Sequence, residues 1–124
     1  ARAGTSWENT LTSIENDGPG GDSPTEYARA FARLENHYFA NAGFLDSDGW
    51  ILNNIDKIAK IPGTIVQGRY DMICPPHSAM GLHESWPASR LVMVPRAGHA
   101  LSEPGITAEL VRTTDALRRS FTNN

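Results

Sequence analysis

Two short apolar runs stand out along the chain, at residues 64–66 and 91–94. Runs of this length, rich in branched aliphatic side chains, predict two β-strands. The segment between them, at residues 77–86, is long enough to form one helix. A strand, a helix and a second strand in this order form a crossover, so the pattern predicts a β-α-β unit with parallel strands.

Helical spacing predicts further helices before this unit. Residues 24–41 carry apolar side chains at the spacing of one helical face, with Ser23 as the N-cap and Pro24 as the first helical residue. These apolar side chains are Tyr27, Ala30, Phe31, Leu34 and Tyr38. A short helix is predicted at residues 49–54.

The last predicted helix covers residues 106–121, and we expect five of its side chains to be buried: Ile106, Leu110, Val111, Ala116 and Leu117. The chain thus has several helices but only two predicted strands. Parallel sheets are rarely found without helices on both faces, and two strands are too few for such a sheet. We therefore expect this chain to be one part of a larger α/β structure.

The composition argues against several classes of function. The 124 residues carry 11 Lys and Arg against 14 Asp and Glu, and the basic residues form no stripe, so we expect no nucleic-acid partner. No segment approaches the roughly 20 apolar residues that cross a bilayer, so we expect no membrane partner. A single cysteine, Cys74, favours a reducing compartment such as the cytoplasm. His37, His77 and His83 lack partners at metal-ligand spacing, so we predict no metal site and no cofactor.

The candidate chemistry lies in the turns that follow the two predicted strands. Asp71 ends the segment Gly-Arg-Tyr-Asp after the first strand, and His99 ends Ala-Gly-His after the second. The carboxyl ends of parallel strands meet at one edge of a sheet. There, a carboxylate bonded to an imidazole would leave the second ring nitrogen able to take a proton from a nucleophile. The spacing alone is equally compatible with a turn-capping aspartate and a loop histidine.

The order of these two residues favours catalysis. In α/β-hydrolases the nucleophile comes first, the acid second and the histidine last. Asp71 and His99 match the second and third members of that order. The nucleophile would lie in a G-x-S-x-G turn, and the 124 residues contain no such motif. We therefore expect the serine to lie outside this sequence.

Four segments carry a specific resemblance. They are Gly-Arg-Tyr-Asp at 68–71 with Cys-Pro at 74–75, Ala-Gly-His at 97–99, Glu-Pro-Gly at 103–105, and Phe-Ala-Arg-Leu-Glu-Asn-His-Tyr-Phe at 31–39. Together they resemble the C-terminal part of the prolyl aminopeptidases, also called proline iminopeptidases. The segment at 31–39 resembles a cap-domain helix of that family, which generic α/β-hydrolases do not share. The resemblance covers nearly the whole chain.

This resemblance implies an α/β fold, namely the C-terminal fragment of an α/β-hydrolase with its last two parallel strands and flanking helices, plus the end of a helical cap domain. Residues 1–48 would belong to the cap and residues 49–124 to the hydrolase core. The implied activity is that of a serine exopeptidase that releases N-terminal proline from peptides without a metal. Asp71 would be the triad acid and His99 the general base, and the chain alone would be inactive.

The resemblance also implies how the substrate is held. In the family, carboxylates of the cap bind the free α-amine of the substrate, and Glu35 and Glu8 match two of them. An N-terminal proline offers two N–H donors, for which ionised carboxylates are strong acceptors. The implied partners are a peptide with a free N-terminal proline and the missing N-terminal part of the enzyme, and uncovered surfaces would favour self-association. The position of Glu35 does not exclude the alternative that it is a surface acid paired with Arg33 or another neighbour.

The sequence departs from the family pattern at two places, and two alternative functions remain to be considered. Gln67 stands where the family usually has a histidine, a change that need not touch the triad. Pro95 and Arg96 stand where an acidic residue and a glycine are more usual, which could shift the histidine loop. The rivals are another capped α/β-hydrolase, such as an esterase or an epoxide hydrolase, and a non-catalytic interaction module.

Overall fold

A computed structural model of the chain describes residues 10–11 and 24–122. The helices are α1 (Thr25–Ala40), α2 (Trp50–Asn53), α3 (Pro76–Ser85) and α4 (Pro104–Thr122), and the strands are β1 (Gly63–Gly68) and β2 (Ser89–Val94). Short 3-10 turns at Ala42–Phe44 and Ile55–Lys57 follow α1 and α2. The predicted α/β class is confirmed for this part of the chain.

The strands β1 and β2 form a parallel pair, and α3 is the crossover that connects them. Gly63 pairs with Ser89 at one end and Gly68 pairs with Val94 at the other, so both strands end at the same edge. Helices α3 and α4 both pack against the two strands. The predicted β-α-β unit is therefore confirmed, and the turns that follow the strands lie side by side.

The core lies at this edge, between the end of β2 and the first turn of α4. Val94, Ala97 and Ile106 are buried there, and Val66 and Leu110 pack against them. Burial of these apolar side chains is what holds α4 against the sheet. The residues between β2 and α4 therefore form a short connection that is anchored by the buried Ala97 and Glu103.

The start of α1 differs from the prediction. Pro24 precedes the helix rather than beginning it, because its ψ of 139° is extended. Its carbonyl oxygen accepts a hydrogen bond from the backbone N–H of Ala28 at 2.9 Å. The predicted N-cap, Ser23, lies outside the described residues.

Helix α4 is buried over less of its length than predicted. Ile106 is buried and Leu110 is half-buried, whereas Ala116 is exposed and Val111 and Leu117 are 54% and 47% exposed. A 19-residue helix is about 28 Å long, whereas a six-residue strand spans only about 20 Å. The two strands are therefore too short to cover the whole length of α4. None of the described helices is both long and apolar enough to cross a membrane.

Helix α1 presents an apolar face that the described residues leave open. Tyr27, Leu34 and Tyr38 are each more than half exposed. The helix packs against the turn Ala42–Phe44, where the ring centroid of Tyr38 lies 5.4 Å from that of Phe44. The strands and helices that form the sheet edge are thus more thoroughly packed than α1.

Candidate active site

The two turns at the sheet edge are joined through their backbones. The N–H of Arg69 donates to the carbonyl oxygen of Val94 at 2.9 Å, and the N–H of Tyr70 donates to that of Ala97 at 3.0 Å. Gly68 lies against the second turn so closely that a Cβ on it would be 1.9 Å from the carbonyl oxygen of Gly98. Only glycine permits this approach. It brings residues 69–74, here called the acid turn, into direct contact with residues 95–99, here called the histidine turn.

Asp71 and His99 form a hydrogen-bonded pair in this structure. Nδ1 of His99 lies 3.0 Å from Oδ2 of Asp71. The other carboxylate oxygen, Oδ1, accepts hydrogen bonds from the backbone N–H groups of Ile73 at 3.0 Å and Cys74 at 2.8 Å. Asp71 is buried, with 7% of its surface exposed. The acid is therefore held from both sides, with one oxygen on its own turn and the other on the imidazole.

The surroundings of Asp71 favour its ionised form. Burial alone would raise the pKa of this carboxyl, but the hydrogen bonds from the Cys74 N–H, the His99 ring and the Ile73 N–H together hold the pKa below its usual value. The pKa of the nearby Cys74 thiol is shifted in the opposite direction. Burial and the Asp71 carboxylate raise the pKa of Cys74, which makes this cysteine a poor nucleophile.

His99 is placed to exchange a proton with another molecule. Its side chain is 39% exposed, in contrast to its buried partner. Within the described residues, hydrogen bonding engages Nδ1 alone and leaves Nε2 without a partner. A carboxylate on Nδ1 favours the tautomer in which Nε2 carries a lone pair and can accept a proton. The pair can therefore act as a general base with a fixed orientation.

Glu103 supports the histidine turn, a role that the sequence did not indicate. It is 2% exposed, and its Oε1 accepts a hydrogen bond from the backbone N–H of Gly98 at 3.2 Å. Its carbonyl oxygen also accepts from the N–H of Thr107 at 2.9 Å, which places Glu103 at the start of α4. The available signal was its position directly before Pro104, which is typical of a helix N-cap.

Gln67 takes part in the site, although the sequence pattern assigned it no contact with the pair. It lies in β1, one residue before Gly68, and its Nε2 lies 3.3 Å from Oδ2 of Asp71. The same nitrogen lies 3.1 Å from the carbonyl oxygens of Gly68 and Cys74. The departure from the usual histidine therefore touches the acid directly.

Comparison with known proteins gives this geometry a context. No family model matches the chain. The chain is 48% identical over 122 residues, or 95% of its length, to a proline iminopeptidase of Arabidopsis thaliana. It is 46% identical over 126 residues, or 99% of its length, to a probable proline iminopeptidase of Leptolyngbya boryana, and 45% identical over 115 residues, or 93% of its length, to a proline iminopeptidase of Neisseria gonorrhoeae.

The chain is related to the C-terminal part of the proline iminopeptidases. The resemblance seen in its motifs is thereby confirmed. The alignments cover 32%, 39% and 36% of these three relatives, so the chain spans about a third of the length of the proline iminopeptidases that it matches. The pair of Asp71 and His99 lies within the matched part.

Within the described residues, no acid predicted to bind the substrate amine is seen in contact with Asp71 or His99. Glu8 lies outside the described residues. Glu35 lies in α1 and is half-buried, and it takes no part in the hydrogen bonds described above for Asp71 and His99. Its role in binding the amine of an N-terminal proline stays a prediction.

Across residues 10–11 and 24–122, no three His, Cys, Asp or Glu side chains are grouped as ligands for a metal ion. The site described here is built from a carboxylate, an imidazole and the backbone groups that hold them.

Proposed function

We propose that this chain supplies the acid and the general base of a serine exopeptidase that releases N-terminal proline from peptides. The observation that carries the proposal is the 3.0 Å contact between a buried Asp71 and an exposed His99, at the edge where both strands end. The relatives that match nearly the whole chain are named proline iminopeptidases, which supports the choice of substrate.

In the proposed mechanism, Nε2 of His99 takes the proton from a serine hydroxyl as the serine oxygen attacks the carbonyl carbon of the N-terminal proline. Asp71 holds the ring through Nδ1 and stabilises the imidazolium that forms. His99 then gives this proton to the departing amine of the peptide. Water then attacks the resulting acyl-enzyme and loses a proton to His99, which passes it to the serine oxygen as the ester bond breaks, so that free proline is released and the serine hydroxyl is restored.

The serine belongs, in this proposal, to a polypeptide segment outside the present sequence, which contains no G-x-S-x-G motif. The fold would then be the last part of an α/β-hydrolase core, made by residues 49–124, with residues 1–48 in a cap domain. The open apolar face of α1 supports a cap that is covered by further chain. By itself, the chain would not turn over peptides.

Substrate recognition would depend on carboxylates of the cap. The secondary ammonium of an N-terminal proline has two N–H donors, and Glu35 and Glu8 would accept them as charged partners. A peptide with a blocked N-terminus would leave these acids without a cation. The enzyme would therefore prefer free N-termini.

The test is to co-express the chain with the N-terminal part of a relative, such as the proline iminopeptidase of Arabidopsis thaliana, and to isolate the complex, here called the assembled enzyme. We expect turnover of proline arylamide, no turnover of its N-acetylated form, and no turnover by either part alone. Preferred hydrolysis of simple esters or epoxides would instead indicate another capped hydrolase. A complex that forms without any hydrolysis would indicate an interaction module.

A further inference from the structure

The amide of Gln67 is surrounded by oxygen atoms. Its Nε2 lies 3.1 Å from the carbonyl oxygen of Gly68, 3.1 Å from that of Cys74 and 3.3 Å from Oδ2 of Asp71. All three are acceptors, so this position of the side chain must carry the donor half of the amide. Its two protons are shared among three oxygens, which come from the end of β1, the acid itself and the residue that closes the acid turn.

The contact with Oδ2 completes the coordination of the Asp71 carboxylate. Oδ1 receives two backbone N–H groups, from Ile73 and Cys74. Oδ2 receives Nδ1 of His99 and Nε2 of Gln67. A carboxylate has about four lone-pair sites, so four donors satisfy it. The buried carboxylate can therefore keep its charge without a water molecule.

We propose that Gln67 is a positioning residue, whose amide holds Oδ2 of Asp71 in the orientation that bonds His99. This inference rests on the proposed function, because the orientation matters only if the pair exchanges a proton with substrate. Without the amide, Oδ2 would keep one donor, and the carboxylate could rotate away from the imidazole or admit water. Gln67 acts through Asp71 and touches no reacting atom.

A purely structural role is the alternative. Through Gly68 and Cys74, the same amide links the end of β1 to the close of the acid turn, and this alone would stabilise the turn. The two roles differ in what they do to Asp71. Only a positioning residue changes the titration of the carboxyl and the hydrogen bond on Nδ1 of His99.

Gln67→Met removes the donor while keeping the length of the side chain. Gln67 borders an apolar groove of about 590 Å³, lined among others by Ile51, Leu52 and Leu82, so a thioether can pack there. Gln67→Glu is the more severe change, because it sets a second carboxylate against Oδ2. Ile65→Val, on the same strand, is the control that loosens β1 without touching the amide.

The first readout uses NMR on the chain labelled with ¹³C at aspartate carboxyls and ¹⁵N at histidine. We expect Gln67→Met to raise the pKa of Asp71 and to shift the Nδ1 proton signal of His99, and Gln67→Glu to raise this pKa further. Ile65→Val should lower the melting temperature with both signals unchanged. If Gln67→Met lowers the melting temperature but leaves the pKa of Asp71 and the Nδ1 proton signal of His99 unchanged, Gln67 only stabilises the acid turn and the proposal is wrong.

The second readout is the turnover of proline arylamide by the assembled enzyme. We expect Gln67→Met to lower kcat about tenfold with KM nearly unchanged, since a misdirected base slows the chemical step and not binding. A native kcat for this variant would overturn the proposal. If the assembled enzyme with unmutated Gln67 shows no turnover, this result counts against the proposed function alone. The titration of Asp71 in the isolated chain then still decides whether Gln67 orients the carboxylate.

Discussion

The sheet edge and helix α1 differ in how completely the described residues build them. At the edge, four donors surround a buried carboxylate, and backbone hydrogen bonds join the two turns. On α1, apolar side chains such as Leu34 and Tyr38 are more than half exposed, and Glu35 is half-buried. The Asp71–His99 pair is therefore held in place within the described residues, whereas the proposed amine-binding residue Glu35 lies on a helix whose apolar face is open.

The largest effect is expected from breaking the contact between the two turns. Gly68→Ala would push a methyl group into the carbonyl oxygen of Gly98, which lies only 1.9 Å from the position of the new Cβ. We expect a loss of about 3 kcal/mol or more in the free energy of unfolding, since backbone must move. Urea denaturation of the purified chain would measure it.

The matched control for this substitution is Gly81→Ala in α3, where a Cβ would meet no atom within 4 Å. There, alanine should stabilise the chain by about 0.5–1 kcal/mol, because glycine is unfavourable inside a helix. Equal effects at the two positions would contradict the close approach of the turns.

A smaller loss is expected from removing the buried support of the histidine turn. Glu103→Ala leaves the N–H of Gly98 without its side-chain acceptor, which should cost about 1–3 kcal/mol of stability. Glu103→Gln keeps an oxygen at this position and should cost less. Thermal unfolding of both variants would measure the difference, and a glutamine variant as unstable as the alanine variant would show that the bond to Gly98 is unimportant.

The proposed role of α1 is tested at Glu35. In the assembled enzyme, Glu35→Gln should raise KM for proline arylamide about tenfold with a smaller change in kcat, since a charge-assisted hydrogen bond to the substrate amine would be weakened. Glu26→Gln, an acid in the first turn of the same helix, is the control and should leave KM unchanged. Equal KM values for the two variants would remove Glu35 from the amine site.

The smallest effect concerns acid stability. The pKa of Asp71 is lower in the folded chain than its ordinary value of 3.8, so the unfolded chain binds more protons in that range of pH. Asp71 should therefore stabilise the fold above about pH 4 and lose this contribution as the pH falls through its folded pKa. Melting temperatures of the native chain and Asp71→Asn, measured from pH 3 to pH 7, should converge at the acid end. A constant difference would contradict the lowered pKa.

The sequence predicted the elements and the pair better than the residues that support the pair. Asp71 and His99 each follow an apolar strand directly, so the parallel arrangement alone brings them to one edge. Gln67 and Glu103 carry no such periodic signal. Their contacts depend on the path of the turns, which became known only with the structure.

Burial was also harder to predict than helix position. The spacing of apolar residues located α4 to within two residues at each end, but it could not indicate where the sheet ends beneath the helix. Leu117 has the spacing of a core residue and is 47% exposed. Periodicity reports which face of a helix is apolar, whereas burial depends on what covers that face.

The proposed catalytic pair is tested most directly by asking whether Asp71 and His99 act as one unit. In the assembled enzyme, kcat/KM for proline arylamide should fall about 10⁴-fold or more in His99→Ala and nearly as far in Asp71→Asn. The double variant should be no slower than His99→Ala, because the acid acts only through the imidazole. Losses that multiply in the double variant, or single variants with native turnover, would contradict the account.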